Sequence, residues 1–370
     1  MELSKICKYM TSRIDSASLN VDNYISTENM MQNKGGVVAA TKVPYEKAVE
    51  FRPGDILLSN IRPYFKKIWF ADRSGGCSSD VLCIRALEGT DSVYLYYLLS
   101  QDSFFDYVMS GAKGSKMPRG DKNQIMKWDV DLPDIDEQRR IGLMLKSIDD
   151  KIELNNRINH NLLNLAQELF DNSIVRNSSC SDTCKTTSLL DIAEYLNGLA
   201  MQKYPAVNGD VGLPVLKIKE LGQQACDANS DKCSGTIPAQ YVVDDGDIIF
   251  SWSGTLLVDF WCGGLCGLNQ HLFKVTSDKY PNWFVFFWTK HHLDRFIRIA
   301  KDKAVTMGHI KRGDLGNAEV IIPNDVLMKE LDEEITPILS EYIDRRVENR
   351  NLQCLRDSLL PELMSGQLTC

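Results

Sequence analysis

The sequence predicts a mixed fold of α-helices and β-strands (α/β, or α+β), with two similar globular domains separated by two long antiparallel coiled-coil helices. Three observations lead to this prediction: an apolar seam at coiled-coil spacing, a second copy of that seam late in the chain, and strand-and-turn motifs that also occur twice. With 370 residues the chain is long enough for two domains with cores of their own. The predicted architecture is therefore an internal pseudo-twofold repeat.

Residues 133–175 are the clearest helix of the sequence. Their apolar residues recur at alternating steps of four and three, which is the spacing of a coiled-coil seam. The same seam, including its polar interruption, recurs 190 positions later within residues 323–367. Because buried Asn at one level of a seam fixes register, the matched phase favours two helices that pair with each other. The predicted seam consists of Ile141, Leu145, Ile148, Ile152, Asn155, Asn159 and Leu162 in the first helix, and of Leu331, Ile335, Ile338, Tyr342, Asn349, Leu352 and Leu359 in the second.

The second helix also carries two prolines. Pro337 predicts a kink near its start, and Pro361 predicts an end or a kink near its close. The alternative to a paired coiled coil is two ordinary amphipathic helices that pack on separate cores.

Residues 1–132 and 177–322 have the pattern of mixed α and β domains. Short β-branched and aromatic runs end at turn signals, as in FRPGDILLSN at 51–60 and its echo VVDDGDIIFSWSG at 242–254. VYLYYLLSQDSFFDYVMSG at 93–111 predicts a helix, and WFVFFWTKHHLDRFI at 283–297 repeats it. A unit of about 185 residues, one domain followed by one long helix, therefore occurs twice. The predicted segments are 1–132 (domain 1), 133–176 (helix 1), 177–322 (domain 2, opening on a polar linker) and 323–370 (helix 2).

Positive charge is concentrated in residues 113–127 and 290–312, although the net charge is −8 and the acidic excess lies mostly in the long helices. Within these segments, the basic loops at 113–122 and 301–312 occupy equivalent places in the two copies. Local patches, rather than net charge, contact nucleic-acid phosphates. Matched basic loops in repeated domains therefore favour a phosphate-binding role over an ordinary solvated face.

The sequence carries no catalytic or metal-binding motif with the required residue spacing. GAKGSK lacks the spacing of a phosphate-binding loop, and the five histidines are not spaced as a ligand cluster. His291 and His292 are expected on a helix surface, and Asp244 and Asp245 are expected to form a turn. The eleven cysteines include no CxxC pair, which indicates reduced thiols and no structural zinc. Without an apolar run long enough to span a membrane or a signal peptide, the predicted location is the cytoplasm.

These residues resemble the specificity (S) subunits of type I restriction-modification systems, and the resemblance runs nearly end to end. The most specific motif is DEQRRIGLMLKSIDDKIELNNRINHNLLNLAQELF at 136–170, followed by LRDSLLPELMSGQL at 355–368. YISTENMMQNKGG at 24–36 and PGDILLSNIRP at 53–63 carry it in the first domain. LPVLKIKEL at 213–221, DGDIIFSWSG at 245–254 and GLNQHLFKV at 267–275 carry it in the second.

The resemblance implies a non-catalytic DNA-recognition subunit. Each globular part would be a target-recognition domain that reads one half of a bipartite site, and the helices would set the spacer between the halves. Two methyltransferase (M) subunits would dock on the helices, and motor-nuclease (R) subunits would complete the complex on double-stranded DNA. The chain itself would bind no cofactor, since S-adenosylmethionine, ATP and Mg²⁺ are expected on those partners only.

The candidate DNA-binding residues fall into two groups, because lysine and arginine contacts to phosphates position a protein while contacts to base edges specify sequence. The expected phosphate contacts are Lys113, Lys116, Arg119, Lys301, Lys303, Lys311 and Arg312. The expected base contacts are Arg62, Lys66 and Lys67 in the first domain and Trp252, Ser253, Asn269, Gln270 and His271 in the second. A core role for Trp252 and a backbone-satisfying role for Gln270 remain the alternatives.

Two other functions stay open at the level of sequence. One is the specificity subunit of a type IIB-like system, in which one partner both methylates and cuts. The other is a coiled-coil scaffold with two protein-binding domains, which would lack the salt-dependent DNA affinity that phosphate contacts produce.

Overall fold

The structure is a computed structural model, and it describes residues 1–176, 185–207, 211–227, 229–302 and 308–368. The chain divides into two compact units, and the divisions fall inside the two long helices. The first unit comprises Met1–Asp150 and Gln353–Cys370, and the second comprises Lys151–Leu352. The predicted mixed fold with two similar globular parts and two long helices is confirmed.

The strands are short and most lie within the two globular parts. In the first unit they are β1 (Cys7–Tyr9), β2 (Arg13–Ile14), β3 (Tyr24–Ile25), β4 (Ala48–Phe51), β5 (Ile56–Ser59), β6 (Ile68–Phe70), β7 (Gly75–Cys77) and β8 (Val81–Ala86). In the second unit they are β9 (Lys185–Ser188), β10 (Glu194–Asn197), β11 (Leu213–Leu216), β12 (Lys232–Cys233), β13 (Val242–Val243), β14 (Ile248–Ser251), β15 (Val258–Phe260), β16 (Cys266–Leu268), β17 (Leu272–Thr276) and β18 (Glu319–Ile322).

Two long helices and several short ones complete the fold. The short helices are α1 (Ser92–Leu99), α2 (Asp102–Ser110) and α3 (Lys122–Ile125) in the first unit, and α5 (Leu189–Ile192), α6 (Ile218–Gln223), α7 (Asn282–His291), α8 (Leu293–Asp302) and α9 (Arg312–Gly316) in the second. The long helices are α4 (Ile135–Phe170), which continues as a π-helical turn over Asp171–Arg176, and α10 (Asp325–Met364).

The two units share a pair of four-stranded sheets with the same internal order. The antiparallel sheet β1-β8-β5-β6 corresponds to β10-β17-β14-β15. In the other sheet, the antiparallel pair β4·β7 and the parallel pair β3·β7 correspond to β13·β16 and β11·β16. The sheets differ only at the edge, where β2 pairs with β4 but β12 pairs with β11. The repeat predicted from sequence is thus a repeat of topology.

The repeated motifs PGD and DGD form the same turn in each unit. Gly54 and Gly246 have φ values of +87° and +89°, in the left-handed region that glycine adopts freely. The following aspartate, Asp55 or Asp247, accepts a backbone hydrogen bond that closes the turn. It also pairs with a cation on the neighbouring strand, Arg85 at 2.6 Å or Lys274 at 2.7 Å. The motif therefore recurs because it fixes the start of the central strand.

Both long helices contribute apolar side chains to the core of each unit. In the first unit, Ile141 and Leu145 of α4 and Leu360 and Leu363 of α10 lie in the apolar core. In the second unit, the later part of α4 and the early part of α10 complete the core with Ala166, Phe170, Leu331, Ile335, Leu339 and Tyr342. The sequence left two alternatives for the long helices: that they pair with each other, or that they pack on separate cores. Both descriptions apply.

The predicted seam is buried along most of α4 and less completely along α10. Ile141, Leu145, Ile148, Ile152, Asn155 and Asn159 are buried, as are Leu331, Ile335, Tyr342 and Asn349. Leu162, Ile338, Leu352 and Leu359 are only half-buried. On α10 the neighbours Leu339 and Leu360 are buried instead, because a globular core covers a wider face of the helix than a coiled-coil seam does.

A level of polar side chains joins the helices within the second unit. Asn155 Nδ2 donates to Asn349 Oδ1 at 2.8 Å, and Asn349 Nδ2 donates to Asn156 Oδ1 at 2.8 Å. Arg345 Nη1 donates to Asn155 Oδ1 at 2.9 Å. Because Ile152 contacts Asn349 while Asn155 contacts Arg345, the two helices run antiparallel here. The amide atoms of buried Asn159 have no hydrogen-bond partner among the described residues.

Arginines of α10 also tie the helix to the second globular part. Arg350 forms a bidentate ion pair with Asp245, with Nη–Oδ distances of 2.6 and 2.8 Å. Arg346 pairs with Asp259 at 3.0 and 3.2 Å. Asp245 was predicted to be a turn former, and the structure adds this helix contact. Burial alone would raise the pKa of Asp245, but Arg350 and the backbone N–H of Gly264 lower it below its usual value.

Three local expectations need correction or completion. The helix predicted over 93–111 is two helices, α1 and α2, separated at Ser100 and Gln101. His292 is buried rather than on the surface, because its ring stacks on Trp288 and its Nε2 contacts Glu319 O at 2.7 Å. Neither Pro337 nor Pro361 ends its helix, since α10 is one helix from Asp325 to Met364. Most of the predicted linker lies outside the described residues.

We expect Arg350→Met to lower the stability of the second unit by about 2 to 4 kcal/mol, because it leaves the half-buried carboxylate of Asp245 unpaired. Hydrogen–deuterium exchange of peptides covering residues 245–264 would measure the loss. The pKa of Asp245 is depressed in the folded state, so the pair's contribution is present above the unfolded pKa of about 3.9 and is lost as the pH falls through the folded pKa.

The matched control is Arg157→Met, which removes an exposed pair with Glu153 and is expected to change exchange little. Equal effects of the two substitutions would contradict a structural role for Arg350.

Candidate nucleic-acid interface

Three loops of the first unit converge beside the central strand β5. The loop after β5 meets the loop after β7 through Asn60 N–H, which donates to Asp80 O at 2.8 Å. It meets the basic loop after α2 through an Ile61–Arg119 β-bridge and through Arg62 N–H, which donates to Pro118 O at 2.8 Å. The convergence therefore rests on main-chain hydrogen bonds and brings predicted base-reading and phosphate-binding segments together.

The same convergence occurs in the second unit. The loop after β14 meets the loop after β16 through Trp252 N–H, which donates to His271 O at 3.4 Å. It meets the loop after α8 through a Ser253–His309 β-bridge, and Gly254 N–H donates to Gly308 O at 3.2 Å. Each unit thus presents a three-loop surface of the same construction.

Left-handed backbone conformations concentrate beside this surface in the first unit. Among described non-glycine residues, Asn33, Lys34, Arg62 and Lys66 have φ values of 50° to 62°, and only Gln224 shares this feature elsewhere. Asn33 N–H donates to Phe65 O and Lys34 N–H donates to Lys66 O, both at 2.9 Å, so the two strained segments hold each other. Such strain is typical of functional sites, where the surrounding structure maintains it.

One carboxylate holds two lysines side by side at this place. Asp102, in the first turn of α2, pairs with Lys34 at 3.2 Å and with Lys66 at 2.9 Å. Burial alone would raise the pKa of Asp102, but the hydrogen bond from Lys66 and the charge of Lys34 lower it below its usual value. The cluster carries one positive charge in excess, which suits an anion.

The other predicted base readers of the first unit are Arg62 and Lys67. The Arg62 guanidinium carbon lies 5.9 Å from the Phe65 ring centre, and its Nε is buried without a hydrogen-bond partner among the described residues. Lys67 Nζ donates to Thr27 O at 2.7 Å, and burial lowers the pKa of Lys67. Lys67 is therefore engaged within the domain, whereas Arg62 retains an unused donor.

The predicted phosphate contacts of the first unit lie on the basic loop. Lys113 and Arg119 exchange two backbone hydrogen bonds of 2.9 Å, so the loop is a narrow hairpin. Lys113 Nζ pairs with Asp121 at 2.8 Å, and Arg119 pairs with Asp80 at 3.1 Å. Lys116, at the tip, is exposed and has no ion-pair partner among the described residues. The loop thus projects positive charge, as the sequence predicts.

An aromatic cluster occupies the centre of the second unit's surface. Trp252 Nε1 donates to Asn197 Oδ1 at 2.9 Å. The centre of the Trp252 ring lies 6.0 Å from the centre of the His271 ring and 6.3 Å from that of His309. A 3.1 Å hydrogen bond joins Ser253 Oγ and His271 Nδ1. Trp252 is half-buried and packs against the core of the second unit, and its base-reading role stays a prediction.

The remaining predicted residues of the second unit divide by exposure. Asn269 is buried, and its Oδ1 accepts from His271 N–H at 3.2 Å, while Gln270 is half-buried with its Nε2 3.4 Å from His271 Nε2. The cations Lys301, Lys311 and Arg312 are exposed. Lys303 lies outside the described residues.

The chain is similar to known proteins in sequence and in fold. Residues 1–164 match the model of the type I restriction modification DNA specificity domain. The type I restriction enzyme MjaIX specificity subunit of Methanocaldococcus jannaschii is 24% identical over 310 residues, covering 76% of this chain and 70% of the relative. The EcoBI specificity subunit of Escherichia coli is 24% identical over 212 residues, covering 55% of this chain and 43% of the relative.

The fold extends the likeness to the whole chain. The crystal structure of the type I restriction-modification system S subunit from M. genitalium superposes with a TM-score of 0.63 at 13% identity, covering 98% of this chain and 95% of that one. The chain is therefore similar in sequence to type I restriction enzyme specificity subunits over 76% of its length, and it shares the fold of a solved S subunit over 98% of its length.

The sequence alone did not indicate several residues of the candidate interface. Lys34 and Asp102 join Lys66 only through the fold, and Asn60, Asp80 and His309 stand at the convergence of the loops. The available signals were the KGG turn after Asn33 and the position of Asp80 in the short loop that leads into β8, since binding residues often lie on loops.

The described residues contain no group of three or more His, Cys, Asp or Glu side chains that could hold a metal ion. In the same described part of the chain, every helix is too short or too polar to cross a membrane.

We expect Arg62→Gly to keep or raise the stability of the first unit, by up to about 1 kcal/mol, because glycine adopts the left-handed conformation without the strain that an L side chain bears. Chemical denaturation measures the change. The control Lys67→Gly should lower stability, since residue 67 has no left-handed strain to release and the bond to Thr27 is lost. Equal losses in both variants would show that residue 62 stores no strain.

Proposed function

We propose that the chain is the DNA-recognition subunit of a type I restriction-modification complex and that each globular part reads one half of a bipartite site. The observation that carries this proposal is the recurrence of one three-loop surface, flanked by basic residues, in both units. Because the loops share their main-chain construction but differ in side chains, two related surfaces would read two different half-sites. The predicted segments 1–132 and 177–322 remain our proposed limits of the two target-recognition domains.

Positioning on DNA is assigned to the exposed cations around each surface. Phosphate contacts need flexible positive side chains that reach the backbone without reading bases. Lys113 and Lys116 meet this description in the first unit, and Lys301, Lys311 and Arg312 meet it in the second. Lys34 and Lys66 supply a second positive site in the first unit, because Asp102 neutralises only one of their charges.

The chemistry of modification and cleavage is assigned to partner subunits. We expect S-adenosylmethionine on the methyltransferase subunits, and ATP and Mg²⁺ on the motor-nuclease subunits, with none of them on this chain. The two long helices would set the number of base pairs between the half-sites, and we expect the complex in the cytoplasm, where its DNA is found.

The methyltransferase subunit is expected to dock on α4. Within the second unit, Leu154 and Leu165 are about half exposed, at 52% and 51%, although the seam residues of the same helix face inward. The two leucines are eleven positions apart, which is three helical turns, so they lie on one line along the helix. Exposed apolar side chains at such regular spacing favour contact with a partner protein.

Genomic adenine methylation tests the proposed function directly. A host that carries this chain and its cognate methyltransferase subunit should acquire a methylated motif of two specified parts with a fixed unspecified gap, read by long-read sequencing. The same host without this chain is the control. If methylation is the same in both hosts while the two proteins form a complex, the chain does not select DNA and a scaffold role takes its place.

Charged substitutions on the proposed docking surface should prevent binding of the methyltransferase subunit. Leu154→Lys combined with Leu165→Lys should abolish co-purification with the methyltransferase subunit, because two charges would be buried in an apolar contact. The control is Val326→Lys, which charges an exposed apolar residue at the start of α10. Undiminished co-purification of the double variant would exclude this face of α4 as the docking site.

A further inference from the structure

Three loop positions are equivalent in the two units, because they form the same main-chain hydrogen bonds. Asn60 N–H donates to Asp80 O, as Trp252 N–H donates to His271 O. Residue 61 forms its β-bridge with Arg119, as residue 253 forms its β-bridge with His309. Three pairs of residues therefore occupy equivalent positions on one repeated surface: 60 and 252, 80 and 271, and 119 and 309.

The preceding serine repeats as well. Ser59 Oγ donates to Ile61 O at 3.0 Å, and Ser251 Oγ donates to Ser253 O at 3.1 Å. Both serines are buried at the ends of the central strands β5 and β14. The frame that holds the three positions is thus the same main chain with the same supporting side chain, and it does not depend on which residues stand at the three positions.

The side chains on this common frame differ completely in chemistry. The first unit carries an amide, a carboxylate and a guanidinium, whereas the second carries an indole and two imidazoles. A surface with a fixed frame and exchanged side chains is what two readers of different sequences require, since specificity comes from the groups that face base edges. Purely positioning residues would keep their charge in both units.

In the first unit, the geometry suits base reading by Arg119. Its side chain is 55% exposed, and its guanidinium is held by Asp80 at 3.1 Å. An arginine fixed in this way presents its remaining donors in one plane, which matches the O6 and N7 acceptors of guanine. Lys116, three residues away at the loop tip, has no such partner among the described residues and remains a phosphate contact in this account.

In the second unit, His309 is exposed and His271 is half-buried beside Trp252. The 3.1 Å bond between Ser253 Oγ and His271 Nδ1 fixes the His271 ring and directs it. Imidazole nitrogens and the flat indole face can contact a base edge or a thymine methyl, but they cannot form the two-pronged arginine contact to guanine. The two surfaces are therefore built for different bases.

We propose that residues 80 and 119 determine the sequence read by the first unit and that residues 271 and 309, at the same positions of the repeat, determine the sequence read by the second. This inference rests on the proposed function and assigns its specificity to four residues. It moves Arg119 from the expected phosphate contacts to the base contacts, and it adds Asp80 and His309.

The test uses the full chain with its cognate methyltransferase subunit and reads the methylated motif for each variant. Arg119→Lys keeps the positive charge but loses the planar two-pronged contact, so a base reader should lose about 10-fold or more of its discrimination at one base pair of one half-site. His309→Gln should relax or change a base pair of the other half-site only. Lys47→Gln and Lys279→Gln, exposed residues outside the three-loop surfaces, are the matched controls and should leave the motif unchanged.

The outcomes separate this inference from the proposed function. If the unmodified chain directs no bipartite methylation, the proposed function fails and the inference fails with it. If the unmodified motif is present but Arg119→Lys leaves it intact, or lowers methylation equally at all sites, residue 119 is a phosphate contact or a structural residue and the inference alone is overturned. Changes by both variants in the same half-site would overturn it as well.

Discussion

Each globular part of this chain depends on both long helices for its apolar core. The first unit takes Ile141 from α4 and Leu360 from α10, and the second takes Phe170 from α4 and Leu331 from α10. Burial of such side chains contributes about 1.5 to 3 kcal/mol each, so neither core is complete without both helices. The helices are therefore structural parts of the domains, and a change in their register would disturb the surfaces that the domains carry.

The central strands connect these cores to the loops of the candidate interface and fix the positions of those loops. The Gly-Asp turns at Asp55 and Asp247 fix where β5 and β14 begin, and the buried serines at the strand ends fix where the reading loops begin. Main-chain hydrogen bonds then hold the neighbouring loops in place. Because the same main-chain frame carries different side chains in the two units, the reading positions accept different residues, which a recognition protein needs in order to acquire a new target.

The sequence predicted the long helices well, because more than thirty residues of regular periodicity outweigh local exceptions such as Pro337. It predicted the strands around PGD and DGD for the same reason, since a turn glycine and a capping aspartate are local signals. The break between α1 and α2 has a weaker signal, because the apolar spacing continues through Ser100 and Gln101.

Features that depend on distant residues could not be read from one sequence. Lys34, Lys66 and Asp102 are far apart in the chain, and the left-handed conformations of the two lysines follow from main-chain contacts between their loops. His292 is buried because the aromatic helix α7 and strand β18 enclose it. The equivalence of Arg119 and His309 is likewise invisible at the level of residue type and emerges only from their shared β-bridges.

We propose that one repeated surface reads two different half-sites through equivalent positions. Site-specific photocrosslinking tests this proposal most directly, with a photoreactive amino acid placed at position 119 or at position 309 of the full chain, in complex with its methyltransferase subunit and DNA that contains the methylated motif. We expect crosslinks to bases, from position 119 within one half-site and from position 309 within the other. Crosslinks from both positions to the same half-site, or none to bases from either, would contradict it.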